Sequence, residues 1–314
     1  MTTPGEAISH ILAMVPPRVA TSSEDMLAHV RSASARGLPL PKLCRPHNRL
    51  MSVAGGGPSL NVSEIDRDSV IVTVNAGLSH LLDNGVTPWA CGLLDARPHI
   101  ADLIEPHPDV FYFVASTCHP SVFDKLKDCK VILWHPTGLP GIETVVPVGH
   151  DLIAGASTMG LRWLNLAHYM GFRRFDFHGL DSSYAGDRTH AYADYRDGRG
   201  GSIEIDGYQT DNNFLEQVKD WFQLQELFKL DPEPPQTRLF GDGLLQHTAR
   251  KREALINNWP RRAETKPLNV ICVSTGDYCG RGEDYVSHLL AGVARNFDGK
   301  CKFHVLRDGP ANWW

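Results

Sequence analysis

From residue 49 the chain alternates short apolar runs with stretches of helical spacing, and this alternation constrains the fold more than any other feature. LMSVAG, SVIVTVN (69–75), WACGLLD (89–95), DVFYFVAS (109–116) and KVILWHP (130–136) are apolar at nearly every position rather than at alternate ones. Strands of that kind are buried on both faces, which is the pattern of a parallel sheet covered by helices. AGLSHLLDNG, closed by Gly85, reads as an intervening helix, RPHIADLIE as another, and LIAGASTMGLRWLNLAHYMGF as a loop feeding a long apolar helix. RRFDFHGLDSSY predicts a further strand, NNFLEQVKDWFQLQELFKL (212–230) an amphipathic helix, and TRLFGDG a last strand with a helix after it. The expected fold is α/β: a Rossmann-like three-layer α/β/α domain over about 49–260 with a mostly parallel sheet. Residues 1–48 carry helical spacing in EAISHILAMV and EDMLAHVRSASA and are expected to form a helical lead-in. At 267 the rhythm restarts: PLNVICVST reads as a strand, GEDYVSHLLAGVARNF as a helix and CKFHVL as a strand. One β-α-β unit rarely stands alone, so 267–314 is expected either to extend the main sheet or, the favoured reading, to be the start of a second domain, cut short.

Composition narrows the function classes. With 314 residues, 42% hydrophobic and 21% charged, the chain can build a sizeable core. A net charge of −5 argues against a nucleic-acid partner, and the basic cluster ARKREALINNWPRR (249–262) reads as a solvated helix and linker. No apolar run reaches the length of a membrane helix, so no membrane span is expected. The start, MTTPGEAISHILAMVPP, lacks the basic opening and long apolar run of a signal peptide. Seven scattered cysteines with no C-x-x-C pair suit reduced thiols, hence a cytoplasmic location, and offer no paired zinc ligands.

In open parallel sheets, ligands gather at the carboxyl ends of the strands. Gly55, Gly56 and Gly57 follow the first strand, Asn75 the second, Asp95 the third, and His178, Gly179, Leu180 and Asp181 end the strand at 173–179. In AGGGPSL the glycines allow close approach of backbone to a ligand, and Pro58 suits the first turn of a helix. The expectation is a strand–loop–helix junction holding a phosphate, with Gly55, Gly56, Gly57, Pro58 and Ser59 as the cradle and Asn75 beside it. A plain Gly-Pro turn without a ligand is the alternative. A dinucleotide fingerprint is not met, because Leu60 stands where its third glycine belongs and Asn75 where its acid belongs. The G-x-x-x-x-G-K-[ST] loop is absent, and GASTMG misses the G-x-S-x-G elbow by one position. Asp95 and Asp181 can hold Mg²⁺ against phosphate oxygens, or each can cap the turn that follows it. His190, among Arg188, Thr189, Tyr192 and Tyr195 in a polar loop, is a better candidate base or phosphate donor than His178. Ser157 and Thr158 open the apolar helix, where they can bind a second phosphate or a ribose, or act as an ordinary cap.

VAGGGPSLN, IVTVNAGLSHLLDNGVTPWACGLLDARP and FRRFDFHGLDSSYAGDRTHAYA together resemble the MptE-like family of 6-hydroxymethylpterin diphosphokinases. The pieces that carry the resemblance are Gly57-Pro58-Ser59-Leu60, Asn75, Gly85-Val86-Thr87-Pro88, Asp95, Gly179-Leu180-Asp181 and Thr189-His190-Ala191, over about residues 49–195. Leu180 stands where relatives usually carry glutamine. The resemblance implies a transferase that moves a diphosphoryl group from ATP to a hydroxymethyl acceptor such as a pterin. Asp95 and Asp181 would then hold Mg²⁺, with Asp181 and His190 at the reacting centre. A second resemblance, weaker, is that of GASTMGLRWLNLAHYMGFRRFDFHGLDSSY to bacterial CMP-sialic acid sialyltransferases. It implies the same nucleotide pocket but metal-free sugar transfer from a CMP-sugar, with His190 as the base. The segment from 267 resembles the beginning of a glycosyltransferase-type domain. A third possibility, kept open by Leu180, is a non-catalytic nucleotide-binding module in glycan modification. The expected partners are a nucleotide and a small-molecule acceptor, and nothing in the sequence fixes an oligomeric state.

Overall fold

The computed structural model describes residues 21–186, 188–192, 203–258, 268–274 and 301–307. In chain order its elements are α1 (Ser23–Ser34), β1 (His47–Ala54), β2 (Val70–Val74), α2 (Gly77–Asp83), β3 (Ala90–Leu93), β4 (Phe111–Ala115), α3 (Pro120–Lys125) and β5 (Lys130–Pro136). There follow β6 (Leu152–Ile153), α4 (Met159–Tyr169), β7 (Phe172–His178), β8 (Ile203–Ile205), β9 (Tyr208–Thr210), α5 (Asn212–Phe228), β10 (Gln236–Phe240), α6 (Leu244–Asn258), β11 (Leu268–Ser274) and β12 (Cys301–Arg307).

Eight strands form one sheet in the order β10-β7-β1-β2-β3-β4-β5-β6. Every neighbouring pair in it is parallel, with Val53 opposite Val72 on one side and Phe177 on the other. Alternate residues serve opposite faces, as the pleat requires. Met51, Val53 and Val72 join the large core, whereas Ala54 and Ile71 join a smaller one with Leu60, Ile65 and Leu81. Burial on both faces is therefore real, and the apolar runs in the sequence meant what they were expected to mean. The Rossmann-like α/β/α architecture holds. On the large-core side α4 is nearly all buried, and fully buried Trp163 donates from Nε1 to the Thr73 carbonyl at 3.0 Å. Each fully buried side chain of that size contributes about 1.5–3 kcal/mol.

The chain runs outward from β1 to β6, then returns and lays β7 on the opposite side of β1. The switch point thus lies between β1 and β7, where a crevice opens beyond the strand ends.

Three local differences from the sequence expectation have physical reasons. After Pro58 no α-helix starts; the chain turns, Leu60 N–H bonding to the Gly57 carbonyl at 3.0 Å, and then forms a three-residue 3-10 helix, Val62–Glu64. The side chain of Asn61 accepts from Ser63 N–H and opens that short turn. RPHIADLIE likewise makes only a 3-10 helix, Pro98–Leu103. Finally, β8 and β9 pair as an antiparallel hairpin around Asp206 and Gly207, both at positive φ (51° and 85°). Asp-Gly is the favoured pair for such a turn.

β11 and β12 pair with each other in parallel and form a sheet apart from the eight strands. The helix expected between them, and the EAISHILAMV segment, lie outside the described residues.

Candidate functional site

The ends of β1, β2 and β7 and the start of α4 enclose one pocket at the switch point. Gly55, Gly56, Gly57, Asn75, Thr158, Asp181 and His190 stand in its wall, so seven of the residues singled out from sequence converge there. Pro58, Ser59, Asp95 and Ser157 are not part of that wall.

The glycine turn is tight against protein on every side. None of its three glycines has positive φ, so close approach and not left-handed backbone accounts for them. A Cβ on Gly55 would strike the Gly179 carbonyl and lie 2.9 Å from Leu180 Cδ2. On Gly56 it would lie 2.5 Å from Tyr192 Oη, and on Gly57 2.5 Å from Asp181 Oδ2. Two of the turn's donors are engaged as well: Gly55 N–H bonds the His178 carbonyl and Gly57 N–H the Gly179 carbonyl, both at 2.8 Å. Ser59 N–H bonds Asp181 Oδ2 at 2.6 Å, and the Gly56 carbonyl accepts from Ala191 N–H at 3.0 Å. An anion cradle built from these N–H groups, as the sequence suggested, would need donors that β7 already holds.

Further donors lie at the start of α4. Thr158 is its N-cap residue but makes no side-chain cap bond; its Oγ1 accepts from Gln217 Nε2 at 3.1 Å. Thr158, Met159 and Gly160 line the pocket, so the first turn of an 11-residue helix presents its partial positive charge there. Ser157 turns away, its N–H and Oγ donating to Asp220 Oδ2 at 2.6 and 2.5 Å. Asn75 sits at φ 45°, which asparagine tolerates better than most residues, and its Oδ1 is buried without a partner.

The two aspartates differ in place and in partners. Asp181 is 4% exposed, with Oδ2 bound to Ser59 N–H and Oδ1 to Ser59 Oγ–H. Burial pushes its carboxyl above the ordinary range, the Ser59 bonds oppose that, and nearby Asp242 adds to it. Asp95 is paired with Arg97, whose Nε lies 2.9 Å from both carboxylate oxygens and whose N–H donates to Oδ1 at 3.0 Å. Asp95 lies toward β4, near enough to Cys118 to add to the burial that raises that thiol. Mg²⁺ needs carboxylate oxygens free to face it. Here both carboxylates are engaged by protein donors, and of the two only Asp181 stands in the pocket wall. As placed, the two aspartates do not fit a shared Mg²⁺ site.

His190 Nδ1 pairs with Thr189 Oγ1 at 2.8 Å, and its ring packs against Tyr192, which in turn packs against His80. His178 is buried, stacked on Phe240 at 4.5 Å and held below its ordinary pKa by desolvation. It is a core histidine, and His190 is the one in the pocket.

Two wall residues, Phe214 and Gln217 of α5, are absent from the sequence expectation. Gln217 is 7% exposed, accepting from Ser182 Oγ at 2.6 Å while donating to Thr158. Its signal was a polar side chain inside the apolar stripe of an amphipathic helix, three residues from Phe214 and four from Trp221.

Comparison with solved structures finds a likeness to the structure of MAf glycosyltransferase from Magnetospirillum magneticum AMB-1, with probability 1.00 and TM-score 0.52. Identity is 13%, so the likeness shows the fold alone; it covers 77% of this chain and 42% of that one. The chain thus spans less than half the length of that neighbour. No curated protein matches the chain. Residues 35–187, which hold β1 through β7 and the strand-end Asp181, match the family described as 6-hydroxymethylpterin diphosphokinase MptE-like.

Proposed function

We propose that the chain is a nucleotide-dependent transferase that uses a nucleotide-activated sugar without a metal. The observation that carries this reading is the state of Asp181: its carboxylate faces Ser59, leaving a pocket wall of helix N–H groups, hydroxyls and amides. A phosphate monoester anion suits the first turn of α4, and the unpartnered Asn75 Oδ1 suits a donor such as a ribose hydroxyl or an exocyclic amine. In the transfer, an acceptor hydroxyl forms a bond to the anomeric carbon. The bond from that carbon to the phosphate oxygen breaks, and the nucleoside monophosphate leaves with the electron pair. His190 takes the acceptor's proton, with Thr189 orienting its ring through Nδ1. Likeness in fold to a structure titled as a glycosyltransferase supports the same direction.

A second reading, diphosphoryl transfer from ATP with Mg²⁺, is favoured by the description of the matching family. It requires Asp95 and Asp181 to leave their present partners. A thermal-shift screen of CMP, a CMP-sugar, ATP and GTP, each with Mg²⁺ or with EDTA, separates the two. A bound ligand at a hundredfold excess over its Kd stabilises the fold by about 2.7 kcal/mol. The expected result is a shift with CMP and the CMP-sugar that EDTA does not reduce. The largest shift coming from a purine triphosphate, and only with Mg²⁺, would replace the first reading with the second.

A further inference from the structure

We propose that Asp181 is a positioning residue: its buried carboxylate clamps the Gly57–Ser59 turn to the end of β7, while its main-chain carbonyl holds the start of α6. Its role toward a nucleotide rests on the function proposed above; the clamp itself rests on geometry alone.

Three separate passages of the chain meet at this one residue. From the first, Ser59 donates both its N–H and its hydroxyl to the carboxylate, so each oxygen is engaged. In the same passage Gly57 lies so close that a Cβ there would come within 2.5 Å of Oδ2 and 2.8 Å of Cγ. The second passage is β7 itself, which delivers Asp181 after Gly179, whose carbonyl holds Gly57 N–H. The third is the turn into α6. A Cβ on Gly241 would strike Ser59 Oγ, a Cβ on Gly243 would strike Asp181 itself, and Leu245 N–H donates to the Asp181 carbonyl at 3.0 Å. Since Gly57 and Asp181 both stand in the pocket wall, the clamp sets the wall's shape. A carboxylate left facing an anion would oppose its binding; one turned onto two donors opposes it less.

The clamp and a ligand-binding or metal-binding aspartate respond differently to substitution. In Asp181→Asn the amide keeps an oxygen for Ser59 N–H, and the amide nitrogen can donate to Ser59 Oγ. A clamp is therefore rescued by asparagine, whereas a metal ligand, needing the charge, is not. The experiment compares the intact chain with Ser59→Ala, Asp181→Ala, Asp181→Asn and the Ser59→Ala/Asp181→Ala double variant. Amide hydrogen exchange at Gly57–Leu60 is followed together with the overall melting temperature, and CMP and ATP affinities are measured with Mg²⁺ and with EDTA. Ser59→Ala and Asp181→Ala are each expected to speed exchange of the turn by about ten- to a hundredfold, the worth of one hydrogen bond to a charged group. The double variant is expected to be no worse than Asp181→Ala, and Asp181→Asn to stay within about threefold of the intact chain. CMP affinity should fall in the same order and ignore EDTA. If Asp181→Asn is as damaging as Asp181→Ala, or Ser59→Ala is silent, the clamp is wrong. If the exchange pattern holds but neither nucleotide binds the intact chain, the clamp stands and the proposed function fails.

Discussion

Asp95 and Asp181 both follow strands of the same sheet, and from sequence they look alike. Asp95 is closed off by Arg97, two residues away, in a pair whose side chains remain about a quarter exposed (26% and 20%). Asp181 is closed off by Ser59, 122 residues away, and is 4% exposed. One carboxylate organises its own turn; the other ties together parts of the chain that know nothing of each other in sequence. The difference teaches that a polar residue at a strand end acquires its role from the range of its partners. Local closure leaves Asp95 outside the pocket, and long-range closure puts Asp181 in its wall.

The sharpest way to break this comparison is Gly57→Val. Its Cβ would be driven into the Asp181 carboxylate, so nucleotide affinity measured by calorimetry should fall at least about a hundredfold, near 3 kcal/mol. Unchanged affinity would show that the turn does not shape the site. Gln217→Leu comes next, because it strips partners from buried Ser182 and from Thr158. Chemical denaturation should show a loss of about 1–3 kcal/mol, with a roughly tenfold weaker CMP affinity.

A smaller effect is expected at the end of β5, away from the Ser59–Asp181 contact. His135 is 1% exposed, its Nε2 lies 3.0 Å from His150 Nδ1, and burial, with His150 adding, holds its pKa down at about 4 instead of 6.5. The unfolded chain therefore takes up a proton there before the native one does. Stability from this site is intact above pH 6.5 and is lost as pH falls toward 4, by on the order of 1–2 kcal/mol. His135→Phe should flatten that part of the stability profile; an unchanged slope would assign it to other groups. The smallest effect is expected from Asp95→Asn. A partly exposed pair with a neighbour two residues off is worth about 0–1 kcal/mol, so stability should barely move and CMP binding should not change. A loss of Mg²⁺-dependent ATP binding in that variant would place Asp95 back among metal ligands.

The sheet was legible because burial on both faces leaves an unmistakable record in runs such as SVIVTVN and DVFYFVAS. The pocket's address was legible too, since parallel strands must end on one edge, and Gly55, Asn75 and Asp181 sit at such ends. What each residue does there was less so. AGGGPS reads as space for a ligand, but the neighbours that fill the space, Leu180, Tyr192 and Asp181, come from more than a hundred residues downstream. Ser157 and Thr158 are adjacent in sequence, yet only the position of α5 decides that Asp220 takes the first and the pocket keeps the second. Asp206-Gly207, like Gln217, was a local signal that could have been read and was not.

The 122-residue separation between Ser59 and Asp181 also sets a timetable. On a ribosome adding about 5–20 residues per second, the glycine turn is made roughly 6–25 s before the carboxylate that anchors it. Throughout that interval β1 can pair with β2 but not with β7, because β7 does not yet exist. Long-range closure of this kind is slow and comes late. The crevice is thus assembled late, with only β10 joining the eight-stranded sheet after β7, and a nascent chain halted before residue 172 carries the glycines without the crevice.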